Sequence, residues 1–187
     1  TDRVFGMVEP GCARALAASR SGRVAVLATE GTVRSGAYAA RLAELASDVR
    51  CLSLACPEFV PLVEAGHVAD ARAIAAVRPY VDQIRAFGAD VAILGCTHYP
   101  HLLPALQAEA SDLTFVDPAL GVIEAVAAGL SAGSAPVAPA LFTSGEPAHL
   151  RRQVEALYGD ALGPSVGRVI WRESGSVVDG DPTSAVG

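Results

Sequence analysis

With 187 residues, 51% of them apolar and 18% charged, the chain is long enough for one sizeable α/β domain or two small lobes, and too apolar to be disordered. A formal net charge of −6 argues against a nucleic-acid surface. Every basic residue is arginine, and a chain without lysine has no amine to form a Schiff base or to anchor pyridoxal phosphate.

Gly, Pro, Arg or Asp interrupts each alanine-rich run before it reaches the roughly 20 apolar residues that a spanning helix needs, so a soluble protein with no membrane partner is expected. Cys12, Cys51, Cys56 and Cys96 come with no signal-like start. They fit free thiols in a reducing compartment, read here as the cytoplasm, better than a disulfide framework.

Short β-branched or apolar runs recur at Val4–Val8, Arg23–Ala28, Cys51–Ala55, Asp90–Leu94, Leu113–Val116, Leu141–Thr143 and Arg168–Trp171, with helical stretches between most of them. The clearest helix is Ala71–Phe87. Ile74, Val77, Val81 and Ile84 line one face of it, Asp70 suits its N-cap and Gly88 its end, while Pro79 predicts a kink or break. Strands alternating with helices imply parallel pairing through right-handed crossovers and a layered α/β fold. Gly133–Ala140 reads as a surface connection, and the Ser/Gly/Asp-rich stretch from Glu173 as a frayed tail.

Ligands of open parallel sheets bind beyond the carboxyl ends of the strands, where helix N-termini point free N–H groups outward. Four small or polar segments follow predicted strands: Glu9-Pro10-Gly11, Thr29-Glu30-Gly31-Thr32, Gly95 to Pro100 and Asp117-Pro118. The densest is Gly95-Cys96-Thr97-His98-Tyr99-Pro100. There Gly95 permits close backbone approach, Cys96 emerges at the strand tip, Thr97 offers a hydroxyl, and His98 stands two residues from the thiol. A helix beginning at Pro100 would turn its positive end toward Cys96, favouring a thiolate that acts as base or nucleophile. The plainer reading is a buried, inert cysteine beside a half-exposed histidine, and pattern alone leaves both standing. Cys96, His98 and His101 also make C-x-H-x-x-H, but a zinc site wants a fourth ligand that no CxxC or HExxH supplies, so no metal is expected. Cys51 and Cys56 read as core residues, and Cys12 as a packing residue at a helix start. Glu64, closing an apolar run before Gly66, is either an acid that supports a histidine or a solvated helix end.

Gly95–Pro100 preceded by Val91–Leu94 closely resembles the LGCTHYP signature of glutamate racemases. Three further segments, in the same order, resemble that family: Val4–Gly11 (VFGMVEPG), Ala28–Tyr38 (ATEGTVRSGAY) and Leu54–Gly66 (LACPEFVPLVEAG), with Leu141–Gly145 (LFTSG) similar to a late strand. The likeness runs from about Val4 to Trp171. It implies Rossmann-like parallel-sheet lobes of the aspartate/glutamate racemase type and a cofactor-independent isomerase that supplies D-glutamate for peptidoglycan, with cell-wall biogenesis and cell shape as its setting. Racemisation without pyridoxal phosphate needs two acid/base groups flanking one carbon, and in this family both are cysteines. By motif match Cys96 is one of the two, Thr97 contacts the substrate carboxylate, and His98 tunes the thiol. Glu64 supports His98, and Thr29 and Thr32 line the substrate cleft.

The resemblance also implies boundaries: residues 10–112 as a complete second lobe, 1–9 and 113–172 as parts of a first lobe lacking its opening strands, and 173–187 as a flexible tail. The family's DSGxGG turn and its ACNTA segment, which carries the other cysteine, have no counterpart here. The expectation is therefore an N-terminally truncated racemase, inactive by itself, with glutamate as the small-molecule substrate and a homodimer left open. The competing reading is a noncatalytic ligand- or partner-binding α/β domain derived from the same fold. A thiol hydrolase is a third reading, and it would need an oriented acid and an oxyanion hole.

Overall fold

The computed structural model describes residues 4–129, 141–159, 166–171 and 177–179. Four of the apolar runs become β1 (Arg23–Ala28), β2 (Arg50–Ala55), β3 (Val91–Leu94) and β4 (Thr114–Val116), paired in the order β2-β1-β3-β4 with every pairing parallel. The register sets Val24 beside Val91 and Leu27 beside Leu94. Side chains alternate across the sheet, so a strand covered on both faces reads as an unbroken apolar run, as Val24–Ala28 and Val91–Leu94 do.

On one face, Val24, Val26, Ala28, Val91, Ile93 and Val116 pack with Cys12 and Ala15 of α1 (Val8–Ala18) and with Tyr38 and Leu42 of α3 (Ala37–Leu45). Ala25, Leu27, Ala92 and Leu94 point to the other face and are also buried. The helices α5 (Ala71–Phe87) and α6 (Leu103–Glu109) pack against each other and bury Val77, Val81, Ile84 and Leu106. The parallel α/β fold expected from the alternation is the fold observed.

Helix α5 has the expected bounds. Asp70 caps it by accepting from the N–H groups of Arg72 and Ala73, and Gly88 ends it in the left-handed region at φ +78°. It does not break at Pro79. A proline inside a helix costs about 3 kcal/mol, whereas burying Val77, Val81 and Ile84 returns about 1.5–3 kcal/mol each, so tertiary packing outweighs the lost hydrogen bond.

Other expectations need correction. Val4–Val8 is no strand: residues 4–6 have no regular structure, Val4 is almost fully exposed, and α1 begins at Val8. Extended backbone needs a neighbour to bond, and no strand among the described residues pairs with this segment. Pro10 instead sits in the first turn of α1, where its missing N–H is harmless.

Because β4 pairs with β3 and α7 (Pro118–Gly129) packs on α1, the first compact unit runs from Thr1 to Ser131 and the second from Ala132 to Gly187. In the second unit β5 (Leu141–Thr143) pairs parallel with β6 (Val166–Trp171), beside α8 (Pro147–Tyr158). The stretch from Glu173 is not wholly a frayed tail, since β7 (Val177–Asp179) adds antiparallel to β6. The connection predicted at Gly133–Ala140 lies outside the described residues. No helix among those described is long and apolar enough to cross a membrane.

Candidate functional site at the carboxyl edge of the sheet

The four parallel strands deliver four loops to one edge: Thr29 follows β1, Cys56 follows β2, Gly95 and Cys96 follow β3, and Asp117 follows β4. Gly95 continues the ladder, its N–H donating to Leu27 O at 2.8 Å. A Cβ on Gly95 would stand 3.1 Å from Ala28 Cβ and 3.2 Å from both Leu27 O and the Tyr38 ring, so only glycine lets β3 leave the sheet this close to β1. Cys96 and Thr29 therefore emerge from adjacent strands at the same end.

The loop after Cys96 is tied on both sides. Tyr99 N–H donates to Cys96 O at 3.0 Å, while the Tyr99 hydroxyl donates to Cys56 O at 2.9 Å, past the end of β2. The Tyr99 ring meets Phe59 of α4 (Phe59–Glu64) edge-on at 5.0 Å, and Phe59 meets Tyr80 in the same way. The helix expected to begin at Pro100 starts instead as a 3₁₀ turn, Tyr99–Leu102, and α6 follows only from Leu103.

Two pairs of the expected residues meet. His98 Nε2 lies 3.5 Å from Glu64 Oε1, both side chains partly exposed, although 34 positions separate them in the chain. Thr29 Oγ1 and Thr32 Oγ1 are 3.0 Å apart, and Thr29 caps α2 (Glu30–Ser35) by accepting from the Thr32 N–H at 3.3 Å. Cys96 is half-buried and Thr97 exposed.

The other three thiols belong to the core. Cys12 is fully buried and donates to Tyr38 O, and burial, reinforced by Cys51 and Glu9, pushes its thiol up to about 11. Burial also pushes Cys56 and Cys51 up. A thiol that must ionise near neutrality is ill served by such surroundings. All four cysteines are free, and Cys96 is the one in the loop after β3 that also carries His98.

Two neighbours had no clear sequence signal. His101, noticed only as part of the C-x-H-x-x-H spacing, is held below the ordinary histidine value by burial and by His98, against the pull of Asp117. Asp117 itself, one of the residues following predicted strands, comes to the edge because β4 joins this sheet. Among the described residues no three His, Cys, Asp or Glu side chains converge as a metal ion would require.

Comparison with known proteins identifies the family. The model of the Asp/Glu/Hydantoin racemase family matches residues 4–132. The chain is 41% identical over 123 residues to the glutamate racemase of Desulforudis audaxviator, covering 65% of this chain and 45% of that protein. It is 37% identical over 169 residues to the glutamate racemase of Pseudomonas paraeruginosa, covering 87% and 63%. Among solved structures, a glutamate racemase isoform from Bacillus anthracis superposes with a TM-score of 0.79 at 27% identity, covering 91% of this chain and 65% of that one. The Thermus thermophilus glutamate racemase, solved with β-chloro-D-alanine, gives 0.73 at 32%, covering 90% and 63%. This chain spans less than two thirds of the length of each of these four relatives. With more than half of its residues matched by the family model, the chain belongs to the Asp/Glu/Hydantoin racemase family.

Proposed function

We propose that this chain carries one of the two proton-transfer thiols of a cofactor-independent glutamate racemase, and that Cys96 is that thiol. As thiolate, Cys96 takes the α-proton of bound glutamate. The electron pair left on the α-carbon delocalises into the adjacent carboxylate, and return of a proton to that carbon ends the step. Thr97, Thr29 and Thr32 supply hydroxyl and N–H donors to the substrate carboxylate. His98, oriented by Glu64, stabilises the charge that Cys96 gains and loses.

The observation that carries the reading is a half-buried thiol at the tip of β3, with His98, paired to Glu64, two residues on and the Thr29–Thr32 turn after the next strand. The glutamate racemases of D. audaxviator and P. paraeruginosa support the choice of substrate. The product is D-glutamate for peptidoglycan, and four free thiols support a reducing cytoplasm as the setting.

The chemistry expected of this chain is one-sided. Cys12, Cys51 and Cys56 lie in or against the core, so none of them stands opposite Cys96 across a bound α-carbon. A base on one face exchanges the α-proton with solvent and retains configuration, whereas inversion needs a positioned acid on the other face, typically worth about 10²–10⁴-fold.

The test is to incubate the chain with each glutamate enantiomer in deuterated water and follow α-deuteration by NMR and configuration by chiral chromatography. We expect slow deuteration of one enantiomer without inversion, abolished by Cys96→Ser. Inversion that survives Cys96→Ser would overturn the assignment. Glutamate binding with no exchange in the unsubstituted chain would favour a noncatalytic binding domain.

A further inference from the structure

The turn that follows Glu64 is closed by a chain of side chains that the proposed proton transfer does not use. Helix α4 ends at Glu64; beyond it the Gly66 N–H donates to Val63 O at 2.9 Å, and the φ of +80° at Gly66 turns the His67 N–H back to Leu62 O at the same distance. The His67 ring then reaches forward to the start of α5. Its Nδ1 lies 2.7 Å from Asp70 Oδ2, and its Nε2 lies 3.0 Å from Arg72 Nη1. The second oxygen of Asp70 accepts from the N–H groups of Arg72 and Ala73 at 3.1 and 3.0 Å. The Ala73 N–H, against some burial and with help from His67, holds Asp70 below the ordinary aspartate range, so it faces the ring as a carboxylate.

These contacts define the proton's place on the ring. A guanidinium has donors and no acceptor, so an Nε2 that meets Arg72 is the bare nitrogen. Nδ1 then carries the proton and donates to Asp70. A free neutral imidazole prefers the opposite tautomer, so the arrangement is imposed by its neighbours.

We infer that His67, held as the Nδ1–H tautomer between Asp70 and Arg72, is a positioning residue that fixes the turn between α4 and α5 and so presents Glu64 to His98. The inference rests on the proposed role of the Glu64–His98 pair. Glu64 is the last residue of a six-residue helix, and an end of that kind frays unless it is held. The backbone bonds of Gly66 and His67 hold it from behind, and the His67 ring fastens the same turn to the capped start of α5. Five residues separate Glu64 from Asp70, too few for the turn to move without breaking one of these bonds.

The test uses the chain labelled with ¹⁵N in its four histidines. Long-range proton–nitrogen NMR reads the tautomer of His67 and the ring resonances of His98. We expect Nδ1–H at His67, a shift toward the Nε2–H form in Asp70→Ser, which keeps a helix cap but removes the carboxylate that Nδ1–H meets, and displacement of the His98 resonances in His67→Ala comparable to that in Glu64→Gln. His67→Asn, whose amide places a donor where Nδ1–H stood, should keep most of the native His98 signal. An Nε2–H tautomer in the unsubstituted chain would overturn the inference, as would His98 resonances unmoved by His67→Ala but moved by Glu64→Gln. Resonances unmoved by Glu64→Gln would defeat the role of the Glu64–His98 pair, and the inference with it. If His67→Ala does not fold, Asp70→Ser decides, since an unchanged tautomer there is itself a refutation.

Discussion

The two compact units are built to different standards. In the first, both central strands are sealed on two faces: Val24 to Ala28 and Val91 to Leu94 are at most 1% exposed. In the second, three strands and one helix bury only Val154 and Val166 among the described hydrophobic residues, and Phe142, Tyr158 and Ile170 remain 40%, 49% and 55% exposed. A sheet covered on both faces holds its carboxyl edge rigidly, and that edge carries Cys96, His98, Glu64, Thr29 and Thr32. Precision at a site comes from the packing beneath it, and among the described residues only those of the first unit show that packing.

The largest test of this contrast is truncation in the core. Leu27→Ala, at a fully buried position on β1, should destabilise the first unit by about 2–5 kcal/mol, read as a lowered denaturant midpoint. Phe142→Ala in the second unit should cost under about 1 kcal/mol. Equal costs would mean that the second unit is packed as well as the first.

A smaller effect concerns the amino end of the sheet, opposite the site. Asp90, just before β3, accepts from the Ser19 and Ser21 hydroxyls and from the Arg20 and Ser21 N–H groups at 2.7–3.1 Å. Burial alone would raise its pKa, but the Ser21 hydroxyl, the Arg20 N–H and the Ser19 hydroxyl outweigh burial and bring it from the ordinary 3.8 down to about 2. A carboxyl lowered on folding adds stability that is present above pH 3.8 and is lost as pH falls through about 2. The first unit should therefore lose about 2 kcal/mol across that window, and Asp90→Ala should remove this part of the pH dependence. An unchanged acid profile in the variant would show that the four bonds contribute nothing.

The smallest effect is expected at the Arg168–Glu146 pair of the second unit, 3.3 Å apart with both side chains more than half exposed. Arg168→Ala should change stability by less than about 1 kcal/mol, and less still in high salt. A larger loss would show that the second unit depends on this pair in place of a core.

Much of the first unit was legible because its signals are local. The caps of α5, its apolar face and the short strand runs each act within a few residues, so Asp70, Gly88 and Arg23–Ala28 declare their roles in the sequence. The Gly95–Pro100 loop stood out for the same reason. Val4–Val8 misled because an extended run is a strand only when a neighbour bonds to it. Pro79 does not break α5 because its local cost is smaller than the burial gained by the helix that contains it.

The sequence by itself determined which segments would be helix or strand over most of the first unit, and which loop would gather thiol, hydroxyl and imidazole, because capping and periodicity are properties of neighbouring residues. Tertiary structure alone decided that Glu64 meets His98, that Tyr99 ties its loop to Cys56, that β4 belongs with β3, and that His67 is gripped between Asp70 and Arg72. The first three join residues brought together by parallel pairing and helix crossovers, and the last depends on side-chain directions at a turn. No periodicity along the chain encodes either.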